Sequence, residues 1–297
     1  MRTLVIRFSS LGDVVLASAV TAGLEDVVFV THQRYAGLVA SFPGVKEVIG
    51  LYPEEGVKSL RSRIPKVDRI VDLHASPRSR VLCRGLGAPV SRVRRYDWQR
   101  RMRVAFKTRR VLPTVVKRYA ETAGVDPVPL PWIPIERAAS PTDLVLIPHA
   151  LHATKCWPRE YYARLAQEWP GEVVALGGPG EQAQMDALVR ESAGAVRGIC
   201  ERGFEGALDA FSRARWVVGG DTGLVHLAAA CGVEVLGIFG PTTSSDGFWN
   251  ARHQSVEASL ACRPCSLHGG PGCPLGDHLC MREIQPDRVG RVLETGS

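Results

Sequence analysis

The sequence predicts an α/β protein made of two doubly wound halves, and three observations carry that prediction. Short apolar runs alternate with helix-length amphipathic segments, the pattern of parallel strands joined by helices. A proline-rich stretch interrupts this alternation near the middle of the chain, after which it restarts. With 297 residues and 45% hydrophobic composition, the chain has the length of roughly two domains and enough apolar side chains for two cores. Two such halves are expected to face a central cleft between the carboxyl ends of their sheets, where folds of this kind bind ligands.

In the first half the strand candidates are Leu4 to Phe8, Val27 to Thr31, Glu47 to Leu51, Arg69 to Leu73 and Ser91 to Arg94, with helical stretches between them. The segment "DPVPLPWIPIERAASPTD", Asp126 to Asp143, carries five prolines, which remove backbone donors and block helix, so it reads as a linker. The second half then offers strand Leu144 to Pro148, helix Arg159 to Trp169, strand Val173 to Leu176, helices Glu181 to Ser192 and Phe204 to Arg213, strand Trp216 to Val218, helix Leu224 to Cys231 and strand Val235 to Phe239. Domains over 1–135 and 143–297 follow. The first residues enter an apolar strand directly, no run reaches the roughly 18 residues of a membrane span, and eight cysteines accompany no secretory pattern. A cytoplasmic protein with reduced thiols is expected.

The net charge of +7 is concentrated. Between Arg78 and Arg118 fourteen basic residues, among them Arg94, Arg95, Arg100 and Arg101, stand against the single acid Asp97. Such a run is either a solvated helical face or a surface for a polyanion, whether an anionic glycolipid at a membrane face or a nucleic acid. No groove-reading motif is present, and Tyr96, Trp98 and Phe106 make a thin stacking platform, so nucleic acid is not the expected partner.

Three motifs sit where strands run into helices. In "VIRFSSLGDVVLASAV", Ser10 and Gly12 follow the first strand and place Asp13 at its carboxyl end, where an acid serves as a helix cap or as a catalytic group. In "HATKCWPREYY", Lys155 lies on the loop after strand Leu144 to Pro148, either as a surface lysine or as a point charge for a phosphate. In "VVGGDTGLVHLAAACGVEVLGIFGPT", glycines bring a strand into a small-residue helix at Asp221, Thr222, Gly223 and Leu224, and free amides there suit a diphosphate. His226 on that helix is either a packed histidine or a ligand contact.

Taken together, "SSLGDVV", "TKCWP", "GGDTGLVHLAAACG" with "GIFGPT", and the tail "CRPCSLHGGPGCPLGDHLCMREIQPDRV" resemble the family 9 glycosyltransferases, the heptosyltransferases of lipopolysaccharide inner-core assembly. "YAGLVASFPGVKEVI" and "DLHASPRSR" look like that family's first domain. The resemblance implies a GT-B fold, inverting sugar transfer that requires no metal or cofactor, and ADP-heptose as donor. It makes Asp13 the candidate general base and Lys155 a donor-phosphate ligand. Asp221, Thr222, Gly223, Leu224 and His226 become the donor loop, while Ser10, Gly12 and the four arginines fall on the acceptor side of the first domain. An anionic lipopolysaccharide-core glycolipid and the inner face of the cytoplasmic membrane become the other partners. A sugar-nucleotide epimerase of similar fold and a non-catalytic binding protein remain the competing readings.

The chemistry agrees independently. Direct inverting transfer needs one carboxylate to accept the acceptor hydroxyl's proton and donors aimed at a diphosphate as negative charge builds on it. In the tail, Cys262, Cys265, Cys273 and Cys280 are compatible with a structural zinc site, with His268 and His278 as substitute ligands, or with free thiols. Cys83, Cys156, Cys200 and Cys231 read as packing residues.

Overall fold

A computed structural model describes residues 1–108, 112–126, 130–201, 203–246 and 253–295. By contact the chain divides into two units: Met1–Tyr96 with Pro113–Pro134, and Asp97–Leu112 with Ile135–Ser297. The segment Asp97–Leu112, expected in the first domain, therefore clusters with the second unit and carries Arg100 and Arg101 with it.

The first unit begins with β1 (Arg2–Ile6), α1 (Leu11–Leu16), α2 (Ser18–Ala22), β2 (Asp26–His32), α3 (Ala36–Ala40) and β3 (Val45–Leu51). It continues with α4 (Val57–Ser62), β4 (Arg69–Asp72), α5 (Pro77–Cys83) and β5 (Val90–Arg92). After α6 (Asp97–Phe106), which belongs to the other unit, α7 (Val115–Ala123) completes it. Its five strands lie in the order β3-β2-β1-β4-β5, and each pair is parallel. Strands covered by helices on both faces read as unbroken apolar runs. Accordingly Leu4, Val5 and Ile6 of β1 and Val27 to Val30 of β2 are fully buried. Local chemistry fixes the helix ends. Ser76 accepts the Ser79 N–H ahead of Pro77 in the first turn of α5, and Gly124, at φ +67°, closes α7 in a conformation that glycine adopts without cost.

The second unit adds β6 (Asp143–Ile147), α8 (Arg159–Glu168), β7 (Val173–Gly177), α9 (Gln182–Glu191), β8 (Val196–Cys200) and α10 (Glu205–Arg213). Then come β9 (Ala214–Gly220), α11 (Gly223–Ala230), β10 (Glu234–Phe239), β11 (His253–Glu257), α12 (Leu279–Arg282) and α13 (Pro286–Thr295). Its six strands are parallel in the order β11-β10-β9-β6-β7-β8. Trp157, Tyr162, Trp216 and Leu236 lie in its core beside Met281, Ile284 and Leu293 from the two C-terminal helices.

Every strand expected from the sequence is present within a residue or two at most ends. Two were not foreseen, β8 and β11, and both are sheet edges with only one fully buried residue each, so neither carries an apolar run. Within the linker, 127–129 lie outside the described residues, and 130–142 form neither helix nor strand. The Trp132 N–H donates to Ser18 Oγ in the first unit, and Arg137 donates to the Gly232 and Ala214 carbonyls in the second. Among the described residues no helix is long and apolar enough to cross a membrane.

Each sheet reverses its strand order once, between β1 and β4 in the first and between β6 and β9 in the second. Loops leaving neighbouring strands at such a point run to opposite faces and open a crevice at the carboxyl edge. The loops carrying Asp13, Lys155 and Asp221 all leave from these strands.

Candidate functional site

In the first unit Asp13 occupies the third position of α1 and reaches back to Ser10, whose hydroxyl donates to Oδ2 at 2.9 Å and whose backbone N–H does so at 3.4 Å. The acid caps the helix, and its side chain remains 31% exposed. The sequence did not reveal its ion partner. Arg7, at the end of β1, contacts Asp13 Oδ2 at 2.5 Å and donates to the Leu73 carbonyl at 2.7 Å. Burial pushes the Asp13 carboxyl up, but the Arg7 guanidinium and the Ser10 donors outweigh it and hold the acid below the ordinary carboxylate range. The remaining oxygen, Oδ1, receives a long hydrogen bond from the Tyr119 hydroxyl at 3.4 Å. Burial raises the pKa of that phenol, so it stays a donor.

His74 lies on the loop after β4 and stacks edge-on against Phe8. Burial first, and then the Arg7 cation, push its imidazole down to about 4. The preceding Asp72 is fully buried and accepts from the N–H groups of His74 and Ala75, from Ser79 Oγ and from Arg92 Nε. Arg92, one of the clustered basic residues, is thus engaged in fixing the loop that carries His74.

In the second unit the donor candidates meet. Lys155 Nζ lies 2.6 Å from Asp221 Oδ2 and 3.3 Å from the Asp221 carbonyl. Thr242 Oγ1 is 3.4 Å from the same carboxylate oxygen, and His226 Nε2 is 3.8 Å from Oδ1. Burial would raise the Asp221 acid, but His226 and Lys155 together depress it far below its usual range. Thr222 precedes α11, with Gly223 and Leu224 in its first turn. The Thr222 hydroxyl is buried and has no hydrogen-bond partner among the described residues. A buried hydroxyl without a partner is costly unless a ligand satisfies it. Glycines make the close approach possible: a Cβ on Gly220 would lie 2.4 Å from the Lys155 carbonyl oxygen.

The Lys155 loop is held by the cysteine-bearing tail, far away in sequence. Thr154, 5% exposed, donates its N–H to the Gly270 carbonyl at 3.2 Å and exchanges hydroxyl bonds with Gly270 at 2.8 and 3.0 Å. His278 Nε2 donates to the Thr154 carbonyl at 2.9 Å. Gly269, at φ +88°, passes so close that a Cβ there would sit 2.8 Å from His152 Cβ and 3.1 Å from Lys155 Cγ. Two further groups escaped the sequence reading: His149 after β6, whose pKa burial lowers, and Glu181, whose carboxylate accepts the Gly178 N–H at 2.7 Å after β7. The Gly-Gly-Pro-Gly turn ahead of Glu181 is the signal that could have found it.

The four tail cysteines are free. Among the described residues no group of three or more His, Cys, Asp or Glu side chains is placed to hold a metal ion, Cys262, Cys265, Cys273 and Cys280 included. Cys280 Sγ lies against Gly240, and Cys273 Sγ points to Asp277 Oδ1 at 3.7 Å. Burial, reinforced by the neighbouring thiols, pushes Cys280 up to about 11.

The arginines divide between the two units. Arg94 and Arg95 belong to the first unit and are exposed, with Arg94 stacked over Tyr96. Arg100 and Arg101 lie on α6 in the second, while Arg109 and Arg110 fall outside the described residues. Arg103 is buried and donates to Thr243 and Ser245. Beside it a cavity of about 530 Å³ is lined by Arg103, Lys107, Glu257 and Arg263. Arg263 is committed there to the carbonyls of Phe239, Gly240, Ala258 and Thr242 and to Glu257. That cavity is braced from within, unlike the Thr222 site.

Residues 129–275 match the family model of glycosyltransferase family 9 (heptosyltransferase). The chain is 27% identical over 349 aligned positions to lipopolysaccharide heptosyltransferase 1 of Pseudomonas aeruginosa, covering 99% of this chain and 97% of that one. It is also 27% identical over 146 residues to lipooligosaccharide heptosyltransferase 2 of Campylobacter jejuni, a match that spans 46% of this chain and only 45% of that protein. In structure it is similar to the E. coli heptosyltransferase WaaC solved with ADP-2-deoxy-2-fluoro heptose, with a TM-score of 0.73 and 19% identity over the whole of both chains. The fold is GT-B.

Proposed function

We propose that the chain, whose residues 129–275 match the family 9 glycosyltransferase model, moves a heptose from ADP-heptose onto an anionic lipopolysaccharide-core glycolipid, with inversion. The observation that carries this reading is the Lys155–Asp221 pair beside the unsatisfied Thr222 hydroxyl at the start of α11. A nucleoside diphosphate sugar supplies what that arrangement lacks. Its phosphate oxygens accept from Thr222 Oγ1, from the free amides of the first turn and from Lys155, while Asp221 is left to receive sugar hydroxyls. Until the donor arrives, Asp221 holds Lys155 in a 2.6 Å ion pair.

Asp13 is the proposed base. A carboxylate paired with Arg7 is a weak base toward a free alcohol, so proton transfer to Oδ1 follows carbon–oxygen bond formation, when the attacking hydroxyl has become acidic. The gain is a base that is ionised throughout the neutral range. Only one carboxylate is needed, because the departing diphosphate leaves as an anion stabilised by Lys155 and the α11 amides. The resemblances named above support the donor assignment. The basic residues between Arg78 and Arg118 support an anionic acceptor at the inner face of the cytoplasmic membrane.

The test is a thermal-shift panel of ADP-, UDP-, GDP- and dTDP-sugars, followed by a transfer assay with the sugar that binds. Stabilisation by ADP-heptose with turnover onto a core glycolipid is the expected result. Selectivity for a UDP-sugar overturns the donor assignment, and binding without turnover onto any core acceptor reduces the protein to a sugar-nucleotide binder.

A further inference from the structure

Helix α6 is amphipathic the wrong way round for a helix that covers a core. At 100° per residue, Arg101, Ala105, Trp98, Met102 and Phe106 fall within an arc of about 140°. All of these are exposed except the half-buried Met102, and the two aromatics are each 66% exposed. The opposite side carries Arg103, which is buried and bonded to Ser245 and Thr243 in the same unit. A helix normally turns its apolar stripe inward and its charges out. Here the fold buries the arginine and leaves tryptophan and phenylalanine in water.

We propose that this face of α6 is an interfacial anchor that seats the protein on an anionic lipid surface. Trp98 and Phe106 stand at the two ends of the helix, about 12 Å apart along its axis, so both enter the headgroup region when the helix lies flat. The charge on the helix itself is suited to this: Arg101 shares the exposed face, and Asp97 is the only acid of α6. A second copy of the chain is a poorer occupant, because a ten-residue helix face offers far less than the roughly 800 Å² per partner of a stable interface, and like charges would meet. The inference rests on the membrane part of the proposed function and is independent of its donor chemistry.

Co-sedimentation of the full chain with phosphatidylglycerol-containing vesicles and with neutral phosphatidylcholine vesicles tests it, at low and high salt. The wild type is expected to bind the anionic vesicles and to keep part of that binding at high salt, where screened charges no longer contribute. Trp98→Ser with Phe106→Ser should melt normally, bind ADP-heptose as the wild type does, lose at least about tenfold in vesicle partition and keep no salt-resistant binding. Trp98→Phe should retain it. A double variant that partitions like the wild type overturns the anchor while leaving the membrane reading intact. A wild type that binds neither vesicle overturns both, and one that binds single-stranded RNA in preference to vesicles moves the face to nucleic acid.

Discussion

At the scale of single residues, the chemistry is set by which groups share a buried neighbourhood. Asp13 is the clearest case, since its capping role and its proposed catalytic role use different oxygens. Asp13→Asn keeps the shape and much of the capping potential while removing the proton acceptor. Steady-state kinetics should therefore show a loss of about 10²-fold or more in kcat with donor Kd little changed. Near-normal turnover would leave Asp13 as a cap alone. His74 gives a prediction of a different kind. Its folded-state pKa of about 4 lies below the 6.5 of an unperturbed histidine. As pH falls below about 6.5 the unfolded chain takes up a proton there that the folded chain refuses, so stability declines until the folded form also titrates near 4. Thermal melts of the wild type should lose ground between pH 6.5 and 4, and His74→Gln should flatten that slope. An unchanged slope would mean that other groups control the acid side.

At the scale of elements, the loops after β6 and β9 and the C-terminal tail work as one device. The Thr154 hydroxyl both gives and receives a bond with Gly270, and His278 holds the Thr154 carbonyl, so Lys155 projects from a backbone pinned by a segment more than a hundred residues away. Thr154→Val preserves the volume and deletes both hydroxyl bonds. Donor Kd should rise by about three- to tenfold and kcat should fall, the scale of one or two lost buried hydrogen bonds, with Thr154→Ser restoring both. Titration calorimetry with ADP distinguishes this positioning role from simple support of the fold, which would lower Tm in both variants without separating their affinities. A Val variant with wild-type affinity for ADP would remove Thr154 from the donor machinery.

At the scale of the whole molecule, the charge of +7 acts as a field rather than through one side chain. The basic run contributes some residues to the fold, Arg92 through Asp72 and Arg103 through Ser245, and leaves others exposed. Reversing Arg94, Arg95, Arg100 and Arg101 together to Glu should raise acceptor KM and weaken binding to anionic vesicles, with each cation near the surface contributing at most about 1 kcal/mol. Donor Kd should stay within about twofold, because none of the four lies among the groups around Lys155 and Asp221. Raising salt should reproduce the effect in the wild type. Normal acceptor KM in the quadruple variant would assign these charges to solvation.

The sequence by itself determined the alternation of strand and helix, the linker and the residues of the Asp13, Lys155 and Asp221 loops, because parallel strands and glycine-rich turns are written in contiguous residues. It revealed the first sheet's edges as well as both sheet centres but missed the second sheet's two edge strands: β1 and β6 bury nearly every side chain, whereas β8 and β11 bury one each and have no periodicity to detect. Only the tertiary structure decided that Arg7 and Tyr119 share the two oxygens of Asp13, that the cysteine-bearing tail braces the Lys155 loop, and that α6 turns its aromatic side outward. The reason is physical. Periodicity tells which residues share a face, but the direction of that face, and the partner of a charge 66 or 106 residues away, are fixed by packing between elements that local sequence does not encode.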